Sequence, residues 1–346
     1  MAGHEEGRHA SAFVDGEACP LDEAIAAAAS RLRGSRQTVF AGLGCDIEGV
    51  RAVVRLAERA GGAIDHLAGT GYGRELQVVR DAGLFLTTPS ETKARADRIF
   101  IVGSGAFRDG SELLQQISDK PPALADPEVS RRILWLGGKE RPARHSSSTR
   151  FVPIGVPARR IRATLAALRA RLAGRPVGSA PLPDRSLEAL AATLQEAKFG
   201  VAIWSSWDLD ALAIETLAGL VQDLNRATRF SCLPLPPSDN ATGVAMALTW
   251  LTGFPSNIGF GRGAVEHDPW RFDAARLALS GEADLALWIS AYRDSWPDWA
   301  SQLPVIALTP ESKGRKKRRA PVEIEVGRPG VDHDGIDLSA ATGGLA

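Results

Sequence analysis

Apolar residues recur along this chain in two rhythms. Thr38–Leu43, Arg98–Gly103 and Arg132–Gly137 are short apolar runs bounded by glycine or charge, the pattern of strands buried on both faces. Around them, apolar positions three and four residues apart predict helices. One covers residues 21–33, with Leu21, Ile25, Ala28, Ala29 and Leu32 on one face and Asp22 as its N-cap; others cover 46–60 and a stretch near Ser111–Ile117. Arg159–Leu172 continues the series as an arginine-rich helix closed by Gly174. Strand alternating with helix implies right-handed crossovers and a mainly parallel sheet.

Residues 175–183 are rich in Pro and Gly, lack periodicity, and read as the boundary between two lobes. Beyond them the pattern restarts: helix 185–197, strand 201–204, helix 209–227, strand 232–235, a helix near 271–280, and strands 284–290 and 304–309. The fold expected is therefore α/β, with two Rossmann-like lobes of mainly parallel sheet at 1–176 and 177–310. A tail over 311–346, charged and then Gly/Asp-rich, is expected to be extended or poorly ordered, with Val322–Val326 as an edge strand.

Length and charge narrow this picture. The 346 residues suit two domains, and 41 Lys+Arg against 41 Asp+Glu give no net field to steer a polyanion. Lys313–Arg319 places six positive charges in seven residues, but no aromatic residue interleaves them. That favours a solvated loop or an acidic protein partner over nucleic acid. The N-terminal stretch is polar, and nowhere do about 18 apolar residues run together, so no membrane span is expected and the cytoplasm is the natural compartment. Cys19, Cys45 and Cys232 form no CxxC motif, and His4, His9, His66, His145, His267 and His333 include no pair at helical spacing. No metal site is expected from such a set.

Four features invite a functional reading. Ala41-Gly42-Leu43-Gly44-Cys45-Asp46 sets glycines between a strand and a helix, where backbone N–H groups hold anions. Ile47 stands where the dinucleotide fingerprint needs glycine, and Asp46 would repel a phosphate. Gly69-Thr70-Gly71-Tyr72-Gly73-Arg74-Glu75 is a glycine-rich loop that either approaches a ligand or turns tightly into a helix. Asp65-His66 and His267-Asp268 read as capping or surface pairs rather than catalytic ones. Trp288, Trp296 and Trp299 lie close together, mostly as core, with 288–299 the candidate segment for a protein contact.

Several stretches together resemble a known family. Val14-Asp15-Gly16 with its helix, Phe40-Ala41-Gly42, Leu56–Asp65, Glu91–Asp97, and above all Thr249-Trp250-Leu251-Thr252-Gly253-Phe254-Pro255 followed by Gly261-Arg262-Gly263 are similar to the B subunit of formylmethanofuran dehydrogenase, a molybdopterin oxidoreductase. The resemblance spans residues 12–310 and implies the truncated core of that fold. It also implies losses. Residues 1–13 contain no cysteine, whereas an iron–sulfur cluster needs about four thiolates. Gly71-Tyr72 stands where the family places a metal-ligating Cys-His, and Pro236-Pro237-Ser238-Asp239-Asn240 replaces a basic, histidine-containing signature. The family's further C-terminal pterin domain is also missing.

These departures resemble the B-subunit family of formyltransferase/hydrolase complexes of methylotrophic bacteria. The resemblance implies a non-catalytic structural subunit, without cofactor or metal, in a complex that converts formyl-tetrahydromethanopterin to formate through a methanofuran-type carrier. Its implied partners are a zinc amidohydrolase-like subunit, a formyltransferase subunit and a small C subunit. Two other readings stay open: a molybdopterin-dependent formate or formylmethanofuran oxidoreductase subunit with an unusual metal site, and a carrier-binding module. The latter would use a vestigial cleft at Gly71, Tyr72, Arg74 and Arg262.

Overall fold

The computed structural model describes residues 11–124, 130–138, 149–235, 239–311, 319–339 and 342–346. The chain opens with β1 (Ala12–Val14), β2 (Glu17–Cys19), α1 (Leu21–Gly34), β3 (Thr38–Gly44), α2 (Ile47–Ala60) and β4 (Ala63–Ile64). Helix α3 (Gly69–Ala82) leads to α4 (Pro89–Arg95), β5 (Arg98–Val102), α5 (Ala106–Asp109), α6 (Ser111–Asp119), β6 (Arg131–Leu136) and β7 (Thr149–Ile154). Then come α7 (Ile161–Leu172), α8 (Asp184–Gln195), β8 (Gly200–Ser205), α9 (Ala211–Leu224) and β9 (Phe230–Leu235). The chain closes with α10 (Ala241–Thr252), β10 (Ile258–Gly259), β11 (Glu266–His267), α11 (Ala274–Leu279), β12 (Leu285–Ser290), β13 (Val305–Pro310) and β14 (Val322–Val326).

Two compact units result. Unit 1 comprises Met1–Thr70, Ser238–Leu338 and Leu345–Ala346; unit 2 comprises Gly71–Pro237 and Ser339–Gly344. The boundary expected at 176/177 is thereby corrected. Unit 2 is an insertion in unit 1, and residues 173–183 merely join α7 to α8, which cover the same core of unit 2. Proline and glycine punctuate every long loop, so composition does not distinguish a connection within a unit from one between units.

Unit 2 holds one sheet of five parallel strands in the order β7-β6-β5-β8-β9. Its two faces carry separate apolar layers, one under α7, α8 and α9 and one under α6. That is why β5 and β8 are buried along their whole length and read as unbroken apolar runs. Unit 1 holds nine strands in the order β11-β10-β4-β3-β12-β13-β14-β1-β2. The middle five, β4 to β14, run parallel, while antiparallel pairs finish both edges. Strand β14 is thus not an edge strand: it lies between β13 and β1 and draws part of the expected tail into the sheet.

Local chemistry sets the helix ends. Asp46 caps α2 by accepting the Gly49 N–H at 2.9 Å, and Thr88 caps α4 ahead of Pro89 by accepting the Glu91 N–H at 3.1 Å. The face expected for α1 is rotated. Ala24 is buried, with Ala27, Ala28 and Leu32 against the core, whereas Leu21 and Ile25 face solvent, because α1 settles on β1 and β14 through its small alanines. Its N-cap is Pro20, and Asp22 serves instead as a first-turn acid favoured by the helix dipole.

A concentrated polar tie of unit 2 is Arg131, which is fully buried. Its guanidinium donates to the carbonyls of Ala96 (2.8 Å), Lys93 (2.8 Å), Lys120 (2.7 Å) and Ile117. It thereby binds the ends of α4 and α6 to β6, and burial lowers its pKa to about 10. Arg131→Met strips four carbonyls of their donor. It is expected to lower the unfolding free energy by at least about 3 kcal/mol in chemical denaturation; a loss below about 1 kcal/mol contradicts this assignment.

Candidate functional site

In an open parallel sheet the crevice for ligands lies beyond the strand C-termini, where successive crossovers leave in opposite directions. In unit 2 that point falls between β5 and β8, since β6 and β7 lie to one side and β9 to the other. The loops there are Gly103-Ser104-Gly105 and Ser205–Asp208. The Asp208 carboxylate accepts the Gly105 N–H in a short hydrogen bond, and a Cβ on Gly105 would lie 2.5 Å from Asp208 Oδ1. Ser205 Oγ donates to Asp109 at 2.5 Å, and Arg108 closes on the same Asp109 carboxylate at 2.8 and 2.9 Å. Side chains of the protein itself therefore take the donors that an anionic ligand would use.

The segment containing Gly71, Tyr72 and Arg74 is the first part of helix α3, not a loop. Packing overrides the low helix propensity of glycine here. A Cβ at Gly71 would come within 3.1 Å of the Ser206 carbonyl oxygen, so glycine lets the helix rest on the loop after β8 without pushing that loop back by a few tenths of an ångström. One turn on, buried Glu75 accepts the Ser206 Oγ–H at 2.7 Å. Burial raises this carboxyl from 4.5 to about 7, with Ser206 and the Trp204 indole holding it back. The Trp204 N–H is fully buried and makes no hydrogen bond of good geometry. Burial, and then the charge of Glu75, push the Tyr72 phenol up to about 12.

The four residues expected at a cleft are divided between the two units. Gly71, Tyr72 and Arg74 follow one another on a helix of unit 2, whereas Arg262 belongs to unit 1, lies mostly in solvent and pairs with Glu266 at 3.3 Å. Neighbouring Asn257 is committed elsewhere. Its side chain donates to buried Asp65 at 3.1 Å, and Asp65 also accepts the N–H groups of His66 (2.7 Å) and Ala274 (2.8 Å). Capping is thus the role of Asp65. His66 accepts the Ala68 N–H at 2.9 Å, and burial lowers its pKa to about 4. His267 bonds the Ser256 carbonyl at 2.8 Å and stacks on Phe254, while Asp268 accepts the N–H groups of Trp270 and Arg271.

In unit 1 the corresponding point lies between β3 and β12. Gly42 and Leu43 both adopt positive φ (82° and 53°) where the β3–β12 register slips. A Cβ on Gly42 would lie 2.5 Å from the Ile289 carbonyl oxygen, which leaves glycine as the residue that fits. Asp46 caps α2, as above, so a carboxylate already holds the position of an anion. The remaining groups meet residues 336–338. Ile47 N–H donates to the Ile336 carbonyl at 3.0 Å, Leu338 N–H to Asn240 Oδ1 at 2.9 Å, and the Tyr292 hydroxyl to Asp337 at 2.6 Å. Asn240 in turn donates to the Cys45 carbonyl at 3.0 Å. What stays open is a depression of about 430 Å³ lined by Asp46, Glu48, His333, Asp334, Gly335 and Ile336, whose acidic wall disfavours anions.

A metal fits no better. Among the described residues no three His, Cys, Asp or Glu side chains are placed to hold an ion. The Cys45 and Cys232 thiols are buried in unit 1 and unit 2 and pushed well above the ordinary thiol range by burial, the opposite of what a metal thiolate needs. Positions 236–238 and most of the basic run 313–319 lie outside the described residues. In the segment 288–299 the tryptophans pack as expected on the core side: Trp288 is core, donates to the Ser295 carbonyl and meets Trp299 edge-on, while Trp296 and Trp299 are partly buried against the same cluster. The exposed tryptophans are Trp207, Trp250 and Trp270. No described helix is long and apolar enough to cross a membrane.

Against known proteins, no family model matches the chain. It is 37% identical over 322 residues to the B subunit of the formyltransferase/hydrolase complex Fhc of Methylorubrum extorquens, covering 92% of this chain and 86% of that protein. It is 26% identical over 271 residues to the B subunit of the tungsten-containing formylmethanofuran dehydrogenase 2 of Methanocaldococcus jannaschii, covering 74% of this chain and 62% of that one. A chain in the crystal structure of FhcABCD from M. extorquens in complex with methylofuran matches the fold with a TM-score of 0.83 at 35% identity, covering 97% of this chain and 92% of that chain.

Glu75 supplies a pH test of this geometry. Its folded pKa is raised from 4.5 to about 7, so its stabilising contribution is complete below pH 4.5 and is lost as pH rises through 7. Glu75→Gln, which cannot ionise, is expected to gain on the parent by up to about 3 kcal/mol between pH 5 and pH 8.5. Urea unfolding at the two pH values measures this, and a difference that does not change with pH contradicts it.

Proposed function

This chain belongs to the family of formyltransferase/hydrolase complex B subunits, and on that premise we propose that it is a structural subunit with no chemistry of its own. It joins a cytoplasmic complex in which formyl transfer from a tetrahydromethanopterin derivative to a methanofuran-type carrier, and hydrolysis to formate, belong to sister subunits. Those partners are an amidohydrolase-like subunit, a formyltransferase subunit and a small subunit.

The observation that carries this reading is the filling of both crevices. Asp208 and Asp109 occupy the one in unit 2, and Asp46 with residues 336–338 occupies the one in unit 1. Carboxylates stand where a pterin pyrophosphate would need donors, so neither crevice suits that cofactor. Gly71-Tyr72 offers no soft ligand for tungsten or molybdenum. The same filling weighs against a carrier bound in either crevice.

Two experiments test the proposal. An affinity-tagged full chain, purified from its native cell, is expected to bring down a formyltransferase and an amidohydrolase-like protein in fixed ratio; a monomeric chain with neither companion contradicts it. In the assembled complex, Asp208→Asn and Glu75→Gln are expected to leave kcat for formate release within about twofold of the parent. A fall of tenfold or more, about 1.4 kcal/mol in the barrier, with assembly intact would assign chemistry to this chain.

A further inference from the structure

Residues 331–338 cross the unit-1 crevice on a small set of ties. Ile336 accepts the Ile47 N–H at 3.0 Å, Asp337 accepts the Tyr292 hydroxyl at 2.6 Å, and the Leu338 N–H reaches Asn240 at 2.9 Å. Asp337 also exchanges two 2.9 Å backbone hydrogen bonds with Ala346, a tie within the C-terminal segment that can travel with it. What the segment lacks is a buried apolar footing. Val331 is 72% exposed and Ile336 45%, and positions 331–334 are all exposed. Gly330, at φ +73°, stands at its start in a turn closed by Arg328 and Asp332. The rim under the segment is polar, with Asp46 and Glu48, but the floor behind it is core: Leu43, Cys45, Val50 and Val244 are buried in the apolar cluster of unit 1.

We propose that residues 331–338 form a lid over the unit-1 crevice, one that opens and closes by breaking these few hydrogen bonds while the sheet and α2 stay folded. The physical reason is the mismatch just described. A segment held by hydrogen bonds of small net worth and little apolar burial opens at a far lower cost than the core on which it lies. Opening bares the N–H of Ile47, the phenol of Tyr292, the amide of Asn240 and the thiol of Cys45. Asn240, which accepts the Leu338 N–H at 2.9 Å, donates to the Cys45 carbonyl at 3.0 Å, so the lid and Cys45 share one bridging side chain. The inference does not depend on which complex the chain joins.

Ile47 is the first residue of α2, so its N–H has no acceptor within the helix, and the lid carbonyl of Ile336 is its partner. Val50 N–H, bonded to the Asp46 carbonyl at 3.1 Å inside the helix, is the internal control. Amide hydrogen exchange on the full chain is expected to show Ile47 exchanging at least about tenfold faster in Tyr292→Phe than in the parent, with Val50 unchanged. In a Cys19→Ser background, a thiol reagent is expected to react with Cys45 faster in Tyr292→Phe by a similar factor, while Cys232, in the core of unit 2, stays silent. A chain ending after Gly330 extends the same trend, and the point variant stands alone if that chain does not fold. Unchanged Ile47 exchange and Cys45 labelling in Tyr292→Phe overturn the lid. So does a rise of Ile47 and Val50 in step, which would mean that the crevice opens only when α2 unfolds.

Discussion

Every parallel sheet with crossovers on both faces has one place where its loops part, and the backbone N–H groups at that place must find acceptors. This constraint governs both units of the chain. In enzymes of such folds a ligand meets the need; in this protein carboxylates of the chain do so. Asp208 takes the Gly105 N–H, and Asp46 takes the Gly49 N–H. The consequences spread outward. With Asp208 and Asp109 seated between β5 and β8, α3 rests on the Ser205–Trp207 loop, with Gly71 directly over Ser206 and Glu75 buried against its hydroxyl. With Asp46 as cap, the next free donor, Ile47, is left to the carbonyl of Ile336.

The energetic character of the two closures differs. In unit 2 the crevice is sealed by charged and hydroxyl groups in a network that includes Ser205, Asp109 and Arg108, above a parallel sheet buried on both faces. Such a network rigidifies when its members are satisfied. In unit 1 the seal includes a segment largely in water. A scaffold benefits from the first arrangement, because fixed crevice walls keep the unit's surface constant whatever small molecules surround it. The second leaves one mobile element in an otherwise settled core.

Much of this architecture was legible from residue pattern. Strands such as Thr38–Leu43, Arg98–Gly103 and residues 284–290 announce themselves because central parallel strands are apolar on both faces. Asp46 and Gly61 mark the ends of α2 by capping chemistry that a sequence carries openly. The insertion of unit 2 into unit 1 was not legible, since it depends on β12, β13 and β14 returning to pair beside β3 and β1 across long sequence separations. Helix α3 was hidden by its glycines, whose value lies in contacts with Asp65 and Ser206 that no local rule contains. Strand β7 was masked by Pro153, tolerated because β7 is an edge strand. The closing carboxylate Asp208 has no local signature at all, because its partner lies 103 residues away.

Both crevices are closed by groups of the chain itself, and we propose that neither holds a redox cofactor. Elemental and pterin analysis of the full chain, purified together with its companions under non-chelating conditions, tests it directly. The account predicts tungsten, molybdenum and released pterin at background level relative to this chain. Either metal with a pterin in near-stoichiometric amount on this chain would contradict it.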